Sequence, residues 1–237
     1  MNYILTPEIL ENFPMTTIGI IPLRNIDNTN YNKEILELLR SEEEKQRKEF
    51  LGKTISEHPK IKIWREAFST FGAKPKKYHC SIEAMLKRIA ENEQIPDINP
   101  IVNLYNYTSL KYLISIGGDD ADKIGGNIYL TLAKGNEPFQ ELGSKEATNP
   151  HEGEAIFKDD KEVLCRRWNW HQCEKTKITE QSKNTNLQIE SISHDGKQEI
   201  TETINELMNL LKKHFKAEPK LYFINKESPS AKITEEN

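Results

Sequence analysis

The stretch N-P-I-V-N-L-Y-N-Y-T-S-L-K-Y-L-I-S-I-G-G-D-D-A-D-K-I, residues Asn99–Ile124, decides the fold of this chain. Apolar residues recur at helical spacing in its first half, which predicts an amphipathic helix over Ile101–Leu113. An apolar end, Leu113–Ile116, follows and leads into a glycine-rich acidic turn, Gly117–Asp122. The chain before this stretch has the spacing of helices and the chain after it that of strands, so the two parts of the fold meet here.

One strand and three helices are predicted before this stretch. The apolar run Thr17–Leu23 is rich in β-branched residues and is followed by turn formers, which predicts a buried strand. Helical spacing of apolar residues predicts helices within Tyr31–Leu51, Lys62–Phe71 and Ile82–Ala90. Ser81 stands where it can cap the last of these helices.

Four short strands and one helix are predicted after it. Runs bounded by turn formers predict strands at Asn127–Ala133, Ala155–Phe157, Val163–Cys165 and Leu187–Ile192. The apolar face of Ile200–Phe215 predicts a closing helix. Helices, then strands, then one helix favour an α+β fold with mixed β-sheets flanked by helices over a doubly wound parallel sheet.

The chain is interpreted as one main domain with an addition at each end. Residues 1–60 are expected to form an N-terminal elaboration, a strand and a helix packed on the main domain, which covers residues 61–225. Residues 226–237 are polar and contain Pro229, so we expect a flexible tail.

Composition bounds the class of protein. The chain has 237 residues, of which 36% are hydrophobic and 30% charged, as in a soluble globular protein with one sizeable core. No membrane span or secretory signal is expected from the sequence. The odd set Cys80, Cys165 and Cys173 suggests a reducing, cytoplasmic location. A net charge of -4 favours nucleic-acid binding only if basic residues are confined to one face.

The acidic turn Gly117–Asp122 is the first constellation that could carry chemistry. It combines backbone freedom with carboxylates, so it could hold a cationic substrate, orient water or bind a metal. The alternative is a solvent-facing turn in which Asp122 caps a short helix.

The aromatic and basic cluster Arg166–His171 is the second. Bases stack on aromatic rings and phosphates accept from arginines, so the cluster suits a terminal nucleotide. A strand over Val163–Trp170 would place Arg166, Trp168 and Trp170 on one face. The alternative is that the tryptophans pack in the core and the arginines remain in solvent.

Other patterns give weaker signals. Cys165, His171 and Cys173 lack a fourth partner for a structural zinc site, so no metal is predicted. Lysine-rich runs at Lys74–His79 and Lys212–Lys216 could meet phosphates, although short lysine runs are more often plain solvated surface.

The ordered segments between Ile63 and Ile192 resemble a known family. Besides Asn99–Ile124, they are W-R-E-A-F, F-G-A-K-P-K-K-Y, S-I-E-A-M-L-K-R, G-N-E, R-R-W-N-W and I-T-E-Q-S-K-N, which begin at Trp64, Phe71, Ser81, Gly135, Arg166 and Ile178. At these spacings the chain resembles free-standing members of the B3/4 family, the editing domain of the phenylalanyl-tRNA synthetase β subunit. The resemblance implies a single B3/4-type α+β editing domain.

The resemblance also implies a trans-editing hydrolase that deacylates mischarged aminoacyl-tRNA. Gly117 and Gly118 stand where the synthetase site has a histidine, and Arg166–Trp170 replace a glycine-rich turn, so the tyrosine specificity of that site is not carried over. Free-standing relatives are associated with non-cognate amino acids that include the arginine analogue canavanine. Asp119 and Glu190 are among the carboxylates that could hold such a cation.

The expected site residues fall into three groups. For catalysis they are Gly117, Gly118 and Asp120. For substrate binding they are Asn106, Asp119, Asp122, Glu137, Trp168, Trp170 and Glu190. For tRNA binding they are Lys74, Lys76, Lys77, Arg166 and Arg167. We expect tRNA as the partner, no metal or other cofactor, no membrane, no protein partner and a monomer.

The expected hydrolysis needs no catalytic triad. An aminoacyl ester is already activated, so a placed water and backbone contacts near Gly117 and Gly118 could hydrolyse it.

Two other functions stay open. A non-catalytic module could instead bind tRNA or amino acids through the same pocket, especially a pocket too open to hold a water. A structural interaction domain would be favoured if Trp168 and Trp170 filled the pocket.

Overall fold

The computed structural model describes residues 1–29 and 31–233, in which helices pack around and between β-sheets. The helices are α1 (Pro7–Asn12), α2 (Lys33–Glu49), α3 (Pro59–Thr70), α4 (Ser81–Ala90), α5 (Pro100–Tyr112) and α6 (Gly196–Phe215), with short 3-10 helices at Ile55–Glu57 and Ala121–Lys123. The strands are β1 (Asn2–Leu5), β2 (Thr17–Leu23), β3 (Ser115–Asp120), β4 (Ile128–Leu132), β5 (Phe139–Gln140), β6 (Ala147–Thr148), β7 (Ala155–Lys158), β8 (Val163–Arg166), β9 (His171–Gln172), β10 (Thr185–Ser191), β11 (Tyr222–Asn225) and β12 (Ser230–Lys232).

Two larger sheets organise the fold. The first has the strand order β12-β1-β4-β7-β8-β9 and the second β11-β2-β10-β3, while β5 and β6 form a separate ribbon. β1 and β4 are parallel and the other pairs of the two large sheets are antiparallel, so the first sheet is mixed. The predicted α+β class with mixed sheets flanked by helices is confirmed.

Helix α5 shows how local signals set an element that positions the site. The side chain of Asn99 accepts a hydrogen bond from the Val102 N–H at 3.1 Å, and Pro100 occupies the first turn, where a missing N–H costs nothing. Leu113 ends the helix with a left-handed φ of 49°. Ile101 and Leu110 are fully buried, so α5 is a core helix, and its bounds lie within one residue of the prediction at each end.

Helix α4 begins at Ser81 instead of being capped by it. Cys80 occupies the cap position, and no side chain caps the helix. The Ser81 hydroxyl instead lies 3.0 Å from the Ser115 hydroxyl of β3. The predicted Ser81 cap is therefore wrong, and this serine joins α4 to the second sheet.

The acidic turn predicted over Gly117–Asp122 is wrong for its first four residues. Ser115–Asp120 forms β3, the edge strand of the second sheet, and pairs with β10 through partners such as Gly117 and Gln188. A Cβ atom on Gly118 would lie 2.8 Å from the Leu187 Cδ2 atom, so this glycine allows close packing of the core. Glycine and aspartate have low strand propensity, so the pairing with β10 must override it here.

The strand predicted at Val163–Cys165 is present as β8, Val163–Arg166, but it does not continue to Trp170. β8 ends at Arg166, and Arg167 and Trp168 adopt left-handed φ angles of 47° and 65°, which break the alternation of faces. Trp168 is fully buried, with its ring 5.1 Å from that of Phe13 and 5.3 Å from that of Trp64 between centroids.

Both ends of the chain are built into the sheets. The N-terminal elaboration predicted over residues 1–60 supplies β1 to the first sheet and β2 to the second, so it is not an added layer. The flexible tail is corrected for residues 226–233, because β12 pairs with β1 and the Ile233 N–H donates to the Met1 carbonyl at 2.9 Å. Residues 234–237 lie outside the described residues. No helix in the described ranges is long and apolar enough to cross a membrane.

Candidate functional site

A pocket of about 240 Å³ opens between the two large sheets. β3 and β10 form one wall, β7, β8 and β9 the other, and α4 and α5 close one side. Several predicted site residues line it: Asn106, Gly117, Gly118, Asp119, Trp168, Trp170 and Glu190. The sequence analysis therefore found much of this pocket, although it described the strand that forms the first wall as a turn.

The register of β3 and β10 sets the layout of the pocket. Ser115 pairs with Glu190 and Asp119 pairs with Asn186, so the two carboxylates face the same side but stand at opposite ends. Gly117 lies between them, and a Cβ atom there would meet only the Gln188 Oε1 atom, at 3.9 Å. The middle of this wall is therefore open because Gly117 has no side chain.

Asp119 is held at its end of the pocket by three donors. It accepts hydrogen bonds from the Thr176 hydroxyl at 2.5 Å, the Gln188 amide at 3.0 Å and the Gln172 amide at 3.1 Å. Burial raises the pKa of Asp119 above its ordinary value, although these hydrogen bonds lower it. The carboxylate is fixed in place but has no cation beside it within the described residues.

Glu190 occupies the opposite end. It is 4% exposed and accepts a hydrogen bond from the Asn169 side chain at 2.9 Å. Burial raises the pKa of Glu190 to about 8, so the free protein at neutral pH holds a proton there. A cationic ligand placed beside this carboxyl would favour its ionised form.

The outer edge of β3, whose residues line the pocket, carries backbone N–H groups that do not face β10. The Asp120 N–H donates outwards, to the Thr176 carbonyl at 2.8 Å. Because N–H directions alternate along a strand, the Gly118 N–H faces the same outer edge and the Gly117 N–H faces β10. The Gly118 carbonyl accepts from Gln172 at 2.7 Å on this edge. Of the two glycines expected to supply oxyanion contacts, Gly118 presents its N–H group outwards.

Asp120, expected in catalysis, lies outside the pocket. Strand alternation turns its side chain away from Asp119, and it accepts from the Ser182 hydroxyl at 2.6 Å and pairs with Lys123 at 3.3 Å. Asp122 also lies outside, where it accepts from the Asn184 side chain at 2.9 Å.

Glu137, expected in substrate binding, organises its own turn. Its carboxylate accepts from the backbone N–H groups of Lys134, Gly135 and Asn136 at 2.8 to 3.2 Å. Burial would raise the pKa of Glu137, but these hydrogen bonds lower it below its ordinary value. The residue has a structural use and does not line the pocket.

The basic residues expected to bind tRNA lie in different environments in the structure. Arg166 is buried and makes a two-pronged ion pair with Glu154, at 2.9 and 2.8 Å. Lys74, Lys77 and Arg167 line a second cavity of about 250 Å³. Lys76 is exposed and is not among the residues that line either cavity.

Several pocket residues were missed from the sequence. Gln188 alternates with Glu190 on β10, so a correct register for β3 would have identified it. Asn169 is placed by the strained turn after β8, which carried no recognisable signal. Cys165 also lines the pocket, and burial raises the pKa of its thiol well above the ordinary value, so it is not a thiolate nucleophile. His171 pairs with Glu141 instead of with the cysteines.

Comparisons with known proteins identify the family. The family model described as the B3/4 domain matches residues 63–213. Among solved structures, the chain is similar to an N-terminal fragment of the phenylalanyl-tRNA synthetase β subunit from Pyrococcus horikoshii, with 15% identity and a TM-score of 0.44. The match covers 92% of this chain and 49% of the fragment, so the chain spans about half its length. No curated protein matched significantly. Because the family model covers more than half of the chain, the protein belongs to the B3/4 domain family.

Proposed function

We propose that the protein is a trans-editing hydrolase that deacylates mischarged aminoacyl-tRNA. The observation that carries this proposal is a pocket with a buried carboxyl group at each end and the outer edge of β3 along one wall. Drug-sized ligands occupy pockets of about 300–1,000 Å³, so a volume of about 240 Å³ suits one amino acid. The resemblance to editing domains supplies the reaction class.

The chemistry in this pocket would rest on positioning. An aminoacyl ester already has an activated carbonyl carbon, so a water held near the Asp119 and Gln172 side chains can attack it without a side-chain nucleophile. The outward N–H of Gly118 would stabilise the developing oxyanion, a contact whose loss costs about 100-fold to 1,000-fold in rate in other hydrolases. The vicinal ribose hydroxyl of the tRNA can take the proton and pass it to the leaving oxygen.

A cationic, arginine-like amino acid such as canavanine is the substrate class that the charges support. Glu190 and Asp119 can each accept from a cationic group, one from the α-ammonium group and the other from the side chain. Trp170 also lines the pocket. The charge of the pocket thus supports an amino acid with two cationic groups.

A panel of mischarged tRNAs tests the proposal. Each tRNA carries one labelled amino acid, and ester loss is followed with and without the pure protein. We expect faster loss from tRNA that carries an arginine-like amino acid than from tRNA that carries a neutral one of similar length. Ester loss at the spontaneous rate across the whole panel would reject the hydrolase.

A non-catalytic binding module is the second candidate. Among the described residues no histidine lines the pocket, and burial raises the pKa of the Cys165 thiol, which favours binding without turnover. Tight binding of a charged tRNA without ester loss would support it. A purely structural role is less well supported, because Trp168 packs into the core and leaves the pocket open.

A further inference from the structure

A second cavity lies next to the amino-acid pocket. It has a volume of about 250 Å³ and its polar lining comprises Lys74, Lys77, Tyr78, His151, Glu154 and Arg167. The rings of Tyr78 and Trp170 meet edge to face at 4.9 Å between centroids. Since Trp170 lines the first pocket and Tyr78 the second cavity, one layer of side chains joins the two spaces.

Arg167 is a buried cation with a free donor. Its side chain is 4% exposed, and its guanidinium lies 3.7 Å from the ring centre of Tyr78 and 4.4 Å from that of Trp170. Its Nη1 atom is buried and has no hydrogen-bond partner within the described residues. Burial lowers the pKa of Arg167, and the charge of Glu154 only partly offsets this. An unpaired donor on a buried cation is costly unless a ligand satisfies it.

Glu154 cannot satisfy Arg167 fully, because its oxygens are already occupied. It accepts both prongs of Arg166 and also the backbone N–H groups of Arg167 and His151. The Arg167 Nη2 atom is 3.5 Å from Glu154, which is longer than the Arg166 contacts. Arg166 and Glu154 therefore neutralise each other, and the charge of Arg167 remains for another partner.

The backbone holds Arg167 in this position at a cost. Arg167 and Trp168 are consecutive residues with left-handed φ angles, which side chains other than glycine rarely adopt. The turn is fixed by the Arg167 N–H to Glu154 and by the Trp168 N–H to the Ala155 carbonyl at 2.7 Å. Strain of this kind persists where the surrounding structure over-determines a position, as at binding sites.

Two exposed lysines complete the cavity. Among the described residues, no carboxylate lies within ion-pair distance of Lys74 or Lys77. Together with Arg167 they form a local cluster of positive charge on a chain whose net charge is -4. A planar guanidinium beside two ammonium groups suits a phosphate group, which accepts several charge-assisted hydrogen bonds.

We propose that the second cavity binds a phosphate group of the 3′-terminal nucleotide of tRNA while the attached amino acid occupies the first pocket. This proposal rests on the proposed function. Arg167 supplies the directed contact, Lys74 and Lys77 supply the remaining charge, and Trp170 lies between the phosphate and the ester. The site is preformed, because Arg167 is stacked and fixed before any ligand arrives.

Binding of adenosine 5′-monophosphate, measured by calorimetry and compared with adenosine and inorganic phosphate, tests the site. Lys76 lies in the same loop outside the cavity, so Lys76→Ala is the matched control for Lys74→Ala and Lys77→Ala. We expect each cavity variant to raise the Kd for the nucleotide by about threefold to fivefold and the double variant by about tenfold. Arg167→Gln, checked for folding by circular dichroism, should raise it by about tenfold or more. Equal binding of adenosine and the nucleotide, or equal effects of Lys76→Ala and Lys77→Ala, would overturn the proposal.

Deacylation assays separate this proposal from the proposed function. If both hold, the Lys74 and Lys77 double variant raises KM for mischarged tRNA and leaves kcat within about twofold of the wild type, as for a lost uniform binding contact. If the protein binds the nucleotide through Lys77 but does not hydrolyse any mischarged tRNA, the phosphate site is supported and the hydrolase is rejected. If the protein hydrolyses mischarged tRNA and the double variant has an unchanged KM, the hydrolase is supported and the phosphate site is rejected.

Discussion

Replacement of Glu190 by glutamine should make the protein more stable, increasingly so as the pH rises. The pKa of Glu190 is raised from an ordinary value of 4.5 to about 8, so the folded state binds its proton more tightly than the unfolded state. The stability that this proton contributes is complete below pH 4.5 and is lost as the pH rises through 8. Glutamine keeps the acceptor for Asn169 and has no charge to bury.

The size of the stability gain in Glu190→Gln follows from the pKa shift of Glu190. At about 1.36 kcal/mol per pKa unit, Glu190→Gln should gain about 1 kcal/mol at pH 5, about 3 kcal/mol at pH 7 and about 5 kcal/mol at pH 9. Urea unfolding of both proteins at these three pH values measures the difference. Glu137→Gln is a control of opposite sign, because the pKa of Glu137 is lowered and the variant should lose stability above its ordinary pKa.

A pH-independent difference between wild type and Glu190→Gln would refute this reasoning. So would a variant that is less stable than the wild type at pH 9, since the buried carboxyl would then be ionised with favourable partners. A calorimetric companion experiment follows the proton directly. A cationic amino-acid ester should release about one proton when it binds at pH 7, because it ionises Glu190.

Three further predictions concern the packing around the pocket and the need for a metal. Gly117→Ala should leave the free energy of unfolding nearly unchanged, whereas Gly118→Ala should lower it by about 1–3 kcal/mol, because its Cβ would lie 2.8 Å from Leu187; urea unfolding checks both. Trp168→Ala should cost about 3–5 kcal/mol, and Trp168→Phe should cost less because it also removes an indole N–H that has no partner in the described part of the chain; thermal unfolding checks this order. Dialysis against a chelator should leave deacylation unchanged, and restoration of lost activity by zinc would contradict this.

The sequence predicted the elements whose signal is local. Helix α5 has apolar spacing, a capping Asn99 and a first-turn Pro100, all within a few residues of each other. Strand β2 is an apolar run whose side chains are buried on both faces, and β10 alternates polar residues with the buried Leu187 and Ile189. The residues within such an element are enough to specify its secondary structure, and the tertiary contacts agree with it.

The elements that depend on distant pairing could not be predicted. β3 ends in two glycines and two aspartates, and it is a strand because β10 and the Thr176 carbonyl pair with it. The turn at Arg167 and Trp168 is held by Glu154, more than ten residues earlier in the chain. β3 and this turn contribute much of the candidate site. The sequence therefore identified many of its residues but not their arrangement in space.

The separation of neighbouring acidic residues shows the same limit. Asp119 and Asp120 were both expected at the site, because a turn can direct adjacent side chains to one place. A strand directs them to opposite faces, so Asp119 enters the pocket and Asp120 meets Ser182 instead. Once the strand is known, this division follows from geometry alone.

The rate of ester loss from mischarged tRNA, compared between wild type and Gly117→Val, tests the central claim most directly. Valine suits a strand and fills the open middle of the pocket, where an added Cβ atom would lie 3.9 Å from its nearest neighbour in the described part of the chain, so the fold should be retained. Under single-turnover conditions the wild type should exceed the spontaneous rate by about 100-fold or more on its best substrate, and the variant should lose most of that gain. Equal rates for the two proteins, or no gain over the spontaneous rate with any mischarged tRNA, would contradict the account.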